Sequence, residues 1–359
     1  MNVSHLWITD FRNYASAELE PATDGLTVVL GDNGQGKSNL IEALAYLANL
    51  ESFRGAPREA LVRQGAERTV LRAEAAQGER RLLIEADIPV SGRERVLVNR
   101  QPLRRVRDLL GVLRTTVFSP DDLELVRGGP SGRRRFLDST LVGLALRHDA
   151  LRLELERILR QRAALLRQSG GRATPDIEST LDVWDAKLVA TGNEVLEARQ
   201  VLVSSLGPAV ARFYEMLAGQ PAPVELSYRR SWDGDLASAV EKARGEDLRR
   251  GITTVGPHRD DLDVRLGGMP ARTHASQGEQ RCLALALRLA EHALVAERAG
   301  SPPVLLLDDV FSELDPRRSS CLLDLLPPGQ AVLTTAGALP ARAEPAKVVA
   351  VSAGTLVTR

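Results

Sequence analysis

The sequence predicts an α/β fold interrupted by an inserted helical lobe, and three stretches carry that prediction. The apolar run Leu26-Thr27-Val28-Val29-Leu30 leads through a glycine-rich loop into good helix formers at residues 39–47. A second apolar run, Val304-Leu305-Leu306-Leu307, ends in Asp308-Asp309, and between about residues 130 and 220 the pattern changes to long helices.

Taken in order, Val3-Ser4-His5-Leu6-Trp7-Ile8 alternates as a strand. After the turn at Asp24-Gly25, residues 26–30 are continuously apolar, as in a strand buried on both faces. Residues 68–98 alternate in two or three pieces broken at Gln77-Gly78 and Ser91-Gly92, which predicts an antiparallel meander and a second sheet beside the first.

In the helical region Leu151, Leu155, Ile158 and Leu165 mark one apolar stripe. Ser169-Gly170-Gly171 breaks it, and Thr174-Pro175 opens a second helix with proline in its first turn. That helix carries Ile177, Leu181, Trp184, Leu188, Thr191, Val195, Ala198 and Leu202, a spacing of four and three kept for about three and a half heptads. Two readings stay open, a member of an ordinary bundle or one half of an antiparallel arm. The Gly-Gly turn between helices of similar length leans toward the arm, each helix measuring on the order of 30 to 45 Å at 1.5 Å per residue. Beyond it, residues 262–266, a helix from Ser276 to about Ala299, the strand 304–307, a helix after Pro316 and the strand 331–333 restore α/β alternation.

With 359 residues, 43% apolar and 26% charged, the chain has room for more than one domain and a large core. Its 47 basic and 47 acidic residues balance, so only local patches can argue for a nucleic-acid partner. No apolar run approaches the roughly 18 residues of a membrane span, and the first residues lack an export signal; the expected location is the cytoplasm, with no membrane partner. The two cysteines, Cys282 and Cys321, lie in helix-like apolar stretches, which suits reduced thiols better than a disulfide framework or a zinc site.

Chemistry concentrates in three motifs. Gly31-Asp32-Asn33-Gly34-Gln35-Gly36-Lys37-Ser38 is a P-loop: glycines let backbone N–H groups turn inward around phosphates, Lys37 reaches the β- and γ-phosphates of ATP, and the Ser38 hydroxyl completes a Mg2+ shell. The helix that follows points its positive end at the anion. Asp308, at the carboxyl end of an apolar strand, is placed to hold magnesium and Asp309 to polarise an attacking water. Ser276-Gln277-Gly278-Glu279-Gln280 reads as a capping box, Ser276 capping and Glu279 reaching back. A box does not explain Gly278, which weakens a first helical turn by roughly 0.5 to 1 kcal/mol relative to alanine and permits close approach of another backbone or a phosphate.

Ser276 to Gln280 resembles the signature motif of the ATP-binding-cassette superfamily, and Ser312-Glu313-Leu314-Asp315 resembles its D-loop; signature, acidic strand and D-loop follow in that superfamily's order. Asp315-Pro316 also reads as a helix N-cap with proline at the first position. Asp10-Phe11-Arg12-Asn13-Tyr14, Phe118-Ser119-Pro120-Asp121-Asp122-Leu123, Arg133-Arg134-Arg135-Phe136-Leu137-Asp138 and Gly256-Pro257-His258-Arg259-Asp260-Asp261 narrow the resemblance to the RecF family of DNA-repair ATPases, over nearly the whole chain.

The resemblance implies an ABC-type P-loop ATPase head, discontinuous over residues 1–128 and 252–359, with a helical lobe at 129–251. It implies catalytic roles for Lys37 and Asp309, nucleotide contacts from Gly31 to Ser38 with Asn39 and Arg12, and metal contacts from Ser38 and Asp308. Ser276, Gln277, Gly278 and Asp315 would act across a homodimer formed on ATP binding. The implied partners are gapped, single-stranded or junction DNA, with RecO and RecR, and indirectly RecA. Asp309 stands where transporter cassettes carry glutamate, one methylene longer, so hydrolysis is expected to be slow. Thr334-Thr335 ends the next strand with no switch histidine, and no Q-loop glutamine is evident.

Arg93, Arg95, Arg100, Arg104, Arg105, Arg107, Arg133, Arg134 and Arg135 are candidates for phosphate contacts, with a solvated face or internal ion pairs as the plain alternative. Aromatic residues are too sparse to predict base stacking. The rival functions are a transporter ATPase subunit, which needs no helical arm; a nuclease fusion, for which too few residues follow the D-loop; and a P-loop kinase, in which the signature would be only a capping box.

Overall fold

The continuously apolar run is an interior strand: Gly25–Leu30 lies between Gln330–Thr335 and Lys347–Ser352, parallel to both, with Val28 and Val29 fully buried. The computed structural model describes residues 1–219, 221–337, 339–340 and 342–358, the side chains of Glu313 and Thr358 excepted. Among them this sheet has the order Thr355–Thr358, Lys347–Ser352, Gly25–Leu30, Gln330–Thr335, Val304–Asp308, Thr115–Phe118. Apart from the hairpin that pairs the first two, all neighbours are parallel. The carboxyl ends of residues 25–30, 304–308 and 330–335 therefore share one edge.

The second sheet is antiparallel, in the order Tyr14–Leu19, Asn2–Phe11, Arg68–Gln77, Arg80–Pro89, Arg95–Val98, Gln101–Pro102. The expected meander is present, and the first strand of the chain joins it. The helix Lys37–Asn49 packs against strands of both sheets and is buried all round from Leu40 to Ala48, as its apolar content, interrupted only by Glu42, requires. These elements belong to one compact unit, residues Met1–Asp122, Met216–Gly219 and Leu285–Arg359.

The other unit, Leu123–Glu215 and Gln220–Ala284, is mainly helical. Arg147–Gln168 and the following helix run antiparallel: Leu155 and Ile158 pack with Leu188 and Val195, and Leu166 packs with Leu181. A third helix, Leu236–Arg250, which the periodicity did not announce, contributes Leu236, Val240 and Leu248 to the same clusters. Arg162, fully buried, ties the three together by pairing with Asp185 at 2.7 Å and Asp247 at 2.6 Å.

Two expectations about this region change. The second helix does not match the first in length: Pro175–Ala218 spans 44 residues, about 65 Å. It passes through Gly207-Pro208 because Leu206, Val210, Tyr214 and Leu217 continue its buried stripe beyond Leu202. Nor do the compact units divide at 129 and 251. Val224–Arg229 pairs with Asp261–Leu266 in a small antiparallel sheet, which keeps residues 252–284, Ser276 to Gln280 included, with the helices.

Candidate nucleotide site

The P-loop leaves the end of strand Gly25–Leu30 with Gly34 at φ 81° and Gly36 at φ 111°, left-handed backbone that side chains rarely adopt. Space forbids a side chain as well. A Cβ on Gly31 would meet the Val351 carbonyl oxygen at 2.4 Å, and one on Gly36 would lie 2.5 Å from Asn13 Nδ2 and 2.8 Å from the Tyr14 hydroxyl. Asn13 and Tyr14 come from the tight hairpin between the first two strands and grip the loop's backbone: Asn13 Nδ2 donates to the Gln35 carbonyl at 3.1 Å and the Tyr14 hydroxyl to the Gly36 carbonyl at 2.9 Å. From the other side the Ala353 N–H donates to Gln35 Oε1 at 2.6 Å.

Lys37, buried, folds over the loop and donates to the Gly31 and Asp32 carbonyls, each at 2.8 Å. An ammonium has three N–H donors, so one remains for a phosphate oxygen. The Ser38 hydroxyl, one residue on, donates to Asp308 Oδ1 at 2.7 Å, and Thr334 donates to the same oxygen at 2.7 Å. The start of the P-loop helix and two strand ends thus meet at one carboxylate. Burial raises the Asp308 carboxyl above its ordinary range, against the hydrogen bonds from Thr334 and Ser38 and the charge of Arg54.

Asp309 adopts the left-handed conformation, φ 49°, and its N–H is shared between the Thr334 carbonyl and hydroxyl, both at 3.1 Å. Its Oδ1 is buried and, among the described residues, has no hydrogen-bond partner. Such an atom needs a polar partner, and a water held there satisfies it.

A hydroxyl and a carboxylate within hydrogen-bond distance are hard oxygen donors of the kind magnesium takes. Two are too few for an all-protein cage, and magnesium characteristically completes its octahedron with substrate phosphates and water. The residues fit that ion.

Arg12, a nucleotide contact by the resemblance, has its guanidinium engaged by groups of the protein. Its Nε and Nη2 donate to Glu42 at 2.8 and 2.6 Å and its Nη1 to the Ala60 carbonyl at 2.8 Å, because Glu42, fully buried in the P-loop helix, needs a countercharge. The exposed cation beside the loop is Arg54, whose Nη1 donates to Asn39 Oδ1 at 3.1 Å, while Asn39 donates to Asn13 Oδ1 at 2.8 Å. Sequence reading missed Arg54, since it lies in an irregular segment outside any motif. Asn33 is exposed on the loop.

The signature segment belongs to the helical unit. Gln277–Ala299 is helical, the Ser276 N–H donates to Glu279 Oε2 at 2.7 Å and the Glu279 N–H to Ser276 Oγ at 3.4 Å, so the capping box forms. Ser276 and Gln277 stay exposed, Gly278 is half-buried, and Gln280 is held by the carbonyls of Ala271 and Arg272. Asp315 caps the helix Pro316–Asp324, accepting from the Arg318 N–H at 2.9 Å.

Arg133 is not a free cation. It forms a buried two-point pair with Asp261 at 2.7 and 2.9 Å, while Arg134 donates to the Asp260 carbonyl at 2.6 Å. Arg199 joins Asp138 to the Pro257 carbonyl, so the stretches 133–138 and 256–261 staple one another. Burial without a charged partner would leave either motif unstable, and each supplies the other.

The sequence family described as RecF/RecN/SMC N terminal domain matches residues 2–333. The chain is 45% identical over 352 residues to the DNA replication and repair protein RecF of Streptomyces avermitilis, covering 94% of this chain and 93% of that protein. It is 44% identical over 355 residues to that of Frankia alni, with the same coverage of 94% and 93%. A solved structure described as the recombination mediator protein RecF-ATP in the RecFOR pathway superposes with a TM-score of 0.91 at 29% identity, covering 100% of this chain and 97% of that one. An Smc head bound to the C-winged helix domain of ScpA superposes at 0.59 with 16% identity, covering 100% and 98%, a likeness of fold. Matched along nearly its full length in sequence and in fold, the chain belongs to the RecF family.

Proposed function

We propose that this protein is an ATP-operated DNA clamp of replication and repair. The carrying observation is the meeting of Lys37, Ser38, Asp308 and Asp309 at one edge of a parallel sheet, beneath a loop in which Gly31 and Gly36 leave no room for a side chain. The names of the relatives support DNA repair over transport, and the RecF-ATP structure supports ATP as the nucleotide.

The loop's N–H groups and Lys37 hold the triphosphate, and Arg54 and Asn39 flank it. Ser38 and Asp308 would hold magnesium, which when bound neutralises phosphate charge. Asp309 Oδ1 orients the water that attacks the γ-phosphorus, and its short side chain makes turnover slow. Arg12 acts from behind, holding Glu42 and so the P-loop helix. The unit Met1–Asp122, Met216–Gly219 and Leu285–Arg359 serves as the ATPase head, and the unit Leu123–Glu215 with Gln220–Ala284 as the lobe.

Two copies sandwich two ATP molecules, each P-loop facing the partner's Ser276, Gln277 and Gly278, with Asp315 at the same interface. The closed dimer holds DNA at gaps or single-to-double-strand junctions and acts with RecO and RecR toward loading RecA; hydrolysis opens it. The protein works in the cytoplasm. Sedimentation tests the sandwich: wild type should dimerise with ATP, and Ser276→Arg should stay monomeric while binding ATP normally. A wild type that remains monomeric with ATP, or a Ser276→Arg variant that dimerises, overturns it.

A further inference from the structure

The antiparallel sheet ends in the hairpin Arg95–Val98 and Gln101–Pro102, closed by Asn99 and Arg100. Both turn residues have positive φ, 50° and 66°. Asparagine followed by glycine is the usual choice there, and here an arginine stands in the glycine's place. Asn99 is pinned to the next strand, its side chain accepting from the Leu83 N–H and its own N–H donating to the Leu83 carbonyl, both at 2.8 Å. The tip is fixed and carries a long cation.

Beside this hairpin lies a groove of about 550 Å³ lined by five arginines, Arg58, Arg93, Arg95, Arg104 and Arg107, against two glutamates, Glu51 and Glu94. Glu94 is engaged: the Tyr46 hydroxyl donates to it at 3.2 Å and Arg58 stands 3.6 Å away. Arg93, Arg95 and Arg104 are exposed and, among the described residues, have no carboxylate partner. The contrast with Arg133, whose charge is spent inside the fold, is direct.

We propose that this groove grips the sugar-phosphate backbone of a nucleic-acid duplex. Guanidinium forks match phosphate oxygens, and contacts of this kind position a duplex without reading its sequence. No aromatic side chain lines the groove, so it offers no platform for unstacked bases, which is what single-strand binders use. The assignment rests on the DNA-binding reading above and supplies the surface that the reading leaves open.

The test is fluorescence anisotropy of the full chain with ATP, using a fluorescein-labelled duplex and one of its strands alone, over a range of salt. Replacing Arg93, Arg95 and Arg104 together by alanine should weaken duplex binding about tenfold or more and make the log affinity against log salt line shallower by roughly 2 to 3, at about 0.9 per lost phosphate contact. Replacing the same three by lysine should largely keep that slope, and affinity for a fluorescent ATP analogue should be unchanged in both variants, which separates lost contacts from misfolding. If the alanine variant binds duplex with the wild-type slope and affinity, the groove is not the contact, although the DNA-binding reading survives. Loss confined to the single strand also overturns the assignment. If wild type binds neither form, the DNA-binding reading itself fails and the groove with it.

Discussion

Ser38 Oγ donates to Asp308 Oδ1 across 2.7 Å, although 270 positions separate the two residues in the chain. Burying that carboxylate is costly, and the hydrogen bond offsets only part of the cost. Burial raises the Asp308 carboxyl, and a group whose pKa is raised by folding favours the fold while protonated; that contribution is complete below the unfolded value and is lost as pH rises through the folded one. Asp308→Asn should therefore melt a few degrees higher than wild type at neutral pH without nucleotide, the gap closing in acid. The same variant should lose magnesium-dependent ATP binding by at least about tenfold, a loss typical even of outer-shell partners. Calorimetry across pH, with and without magnesium and ATP, checks both signs.

Asp309 offers a separable outcome. If its unpartnered Oδ1 orients the attacking water, Asp309→Asn should bind ATP with near wild-type affinity, while single-turnover hydrolysis falls by about 10²- to 10⁴-fold. Equal turnover in the two proteins would assign the water to another group.

Arg133 and Arg93 should behave oppositely. Arg133→Ala leaves buried Asp261 with only the longer 3.4 Å pair to exposed Arg229 and should destabilise by up to roughly 3 to 5 kcal/mol, read as a lower urea midpoint. Arg93→Ala, at an exposed site with no carboxylate partner among the described residues, should leave the midpoint within about 0.5 kcal/mol of wild type.

His292 governs part of the acid limit. It is buried against the Thr116 hydroxyl at 3.1 Å, its Nε2 has no partner among the described residues, and burial lowers its pKa to about 4. A depressed pKa contributes stability that is present above the unfolded value and lost as pH falls through the folded one. Wild type should weaken between about pH 6.5 and pH 4, by up to roughly 3 kcal/mol from this group. His292→Leu should flatten that segment of a melting-temperature profile.

The parts legible in the sequence were those whose cause is local. Apolar periodicity marked the strand before the loop, glycines marked the loop, and Ser276 with Glu279 spelled a cap that the structure forms. What escaped notice depends on partners far along the chain. Arg133 reads as one of three basic residues until Asp261, 128 positions away, claims it. The pairing of Arg12 with buried Glu42, 30 positions on, is not visible in the motif, and Arg54 has no motif to announce it. Gly207-Pro208 is a local helix breaker, but tertiary burial of Val210 and Tyr214 carries the helix through.

The hairpin Lys347–Ser352 and Thr355–Thr358 carries none of the motifs named above, yet its Val351 carbonyl occupies the space a side chain on Gly31 would need, and its Ala353 N–H fixes Gln35. A chain stopped after Thr335 would retain every recognisable signature and would still be expected to lose its nucleotide. A frameshift late in the reading frame, invisible to any motif search, would thus silence the protein as completely as a substitution at Lys37.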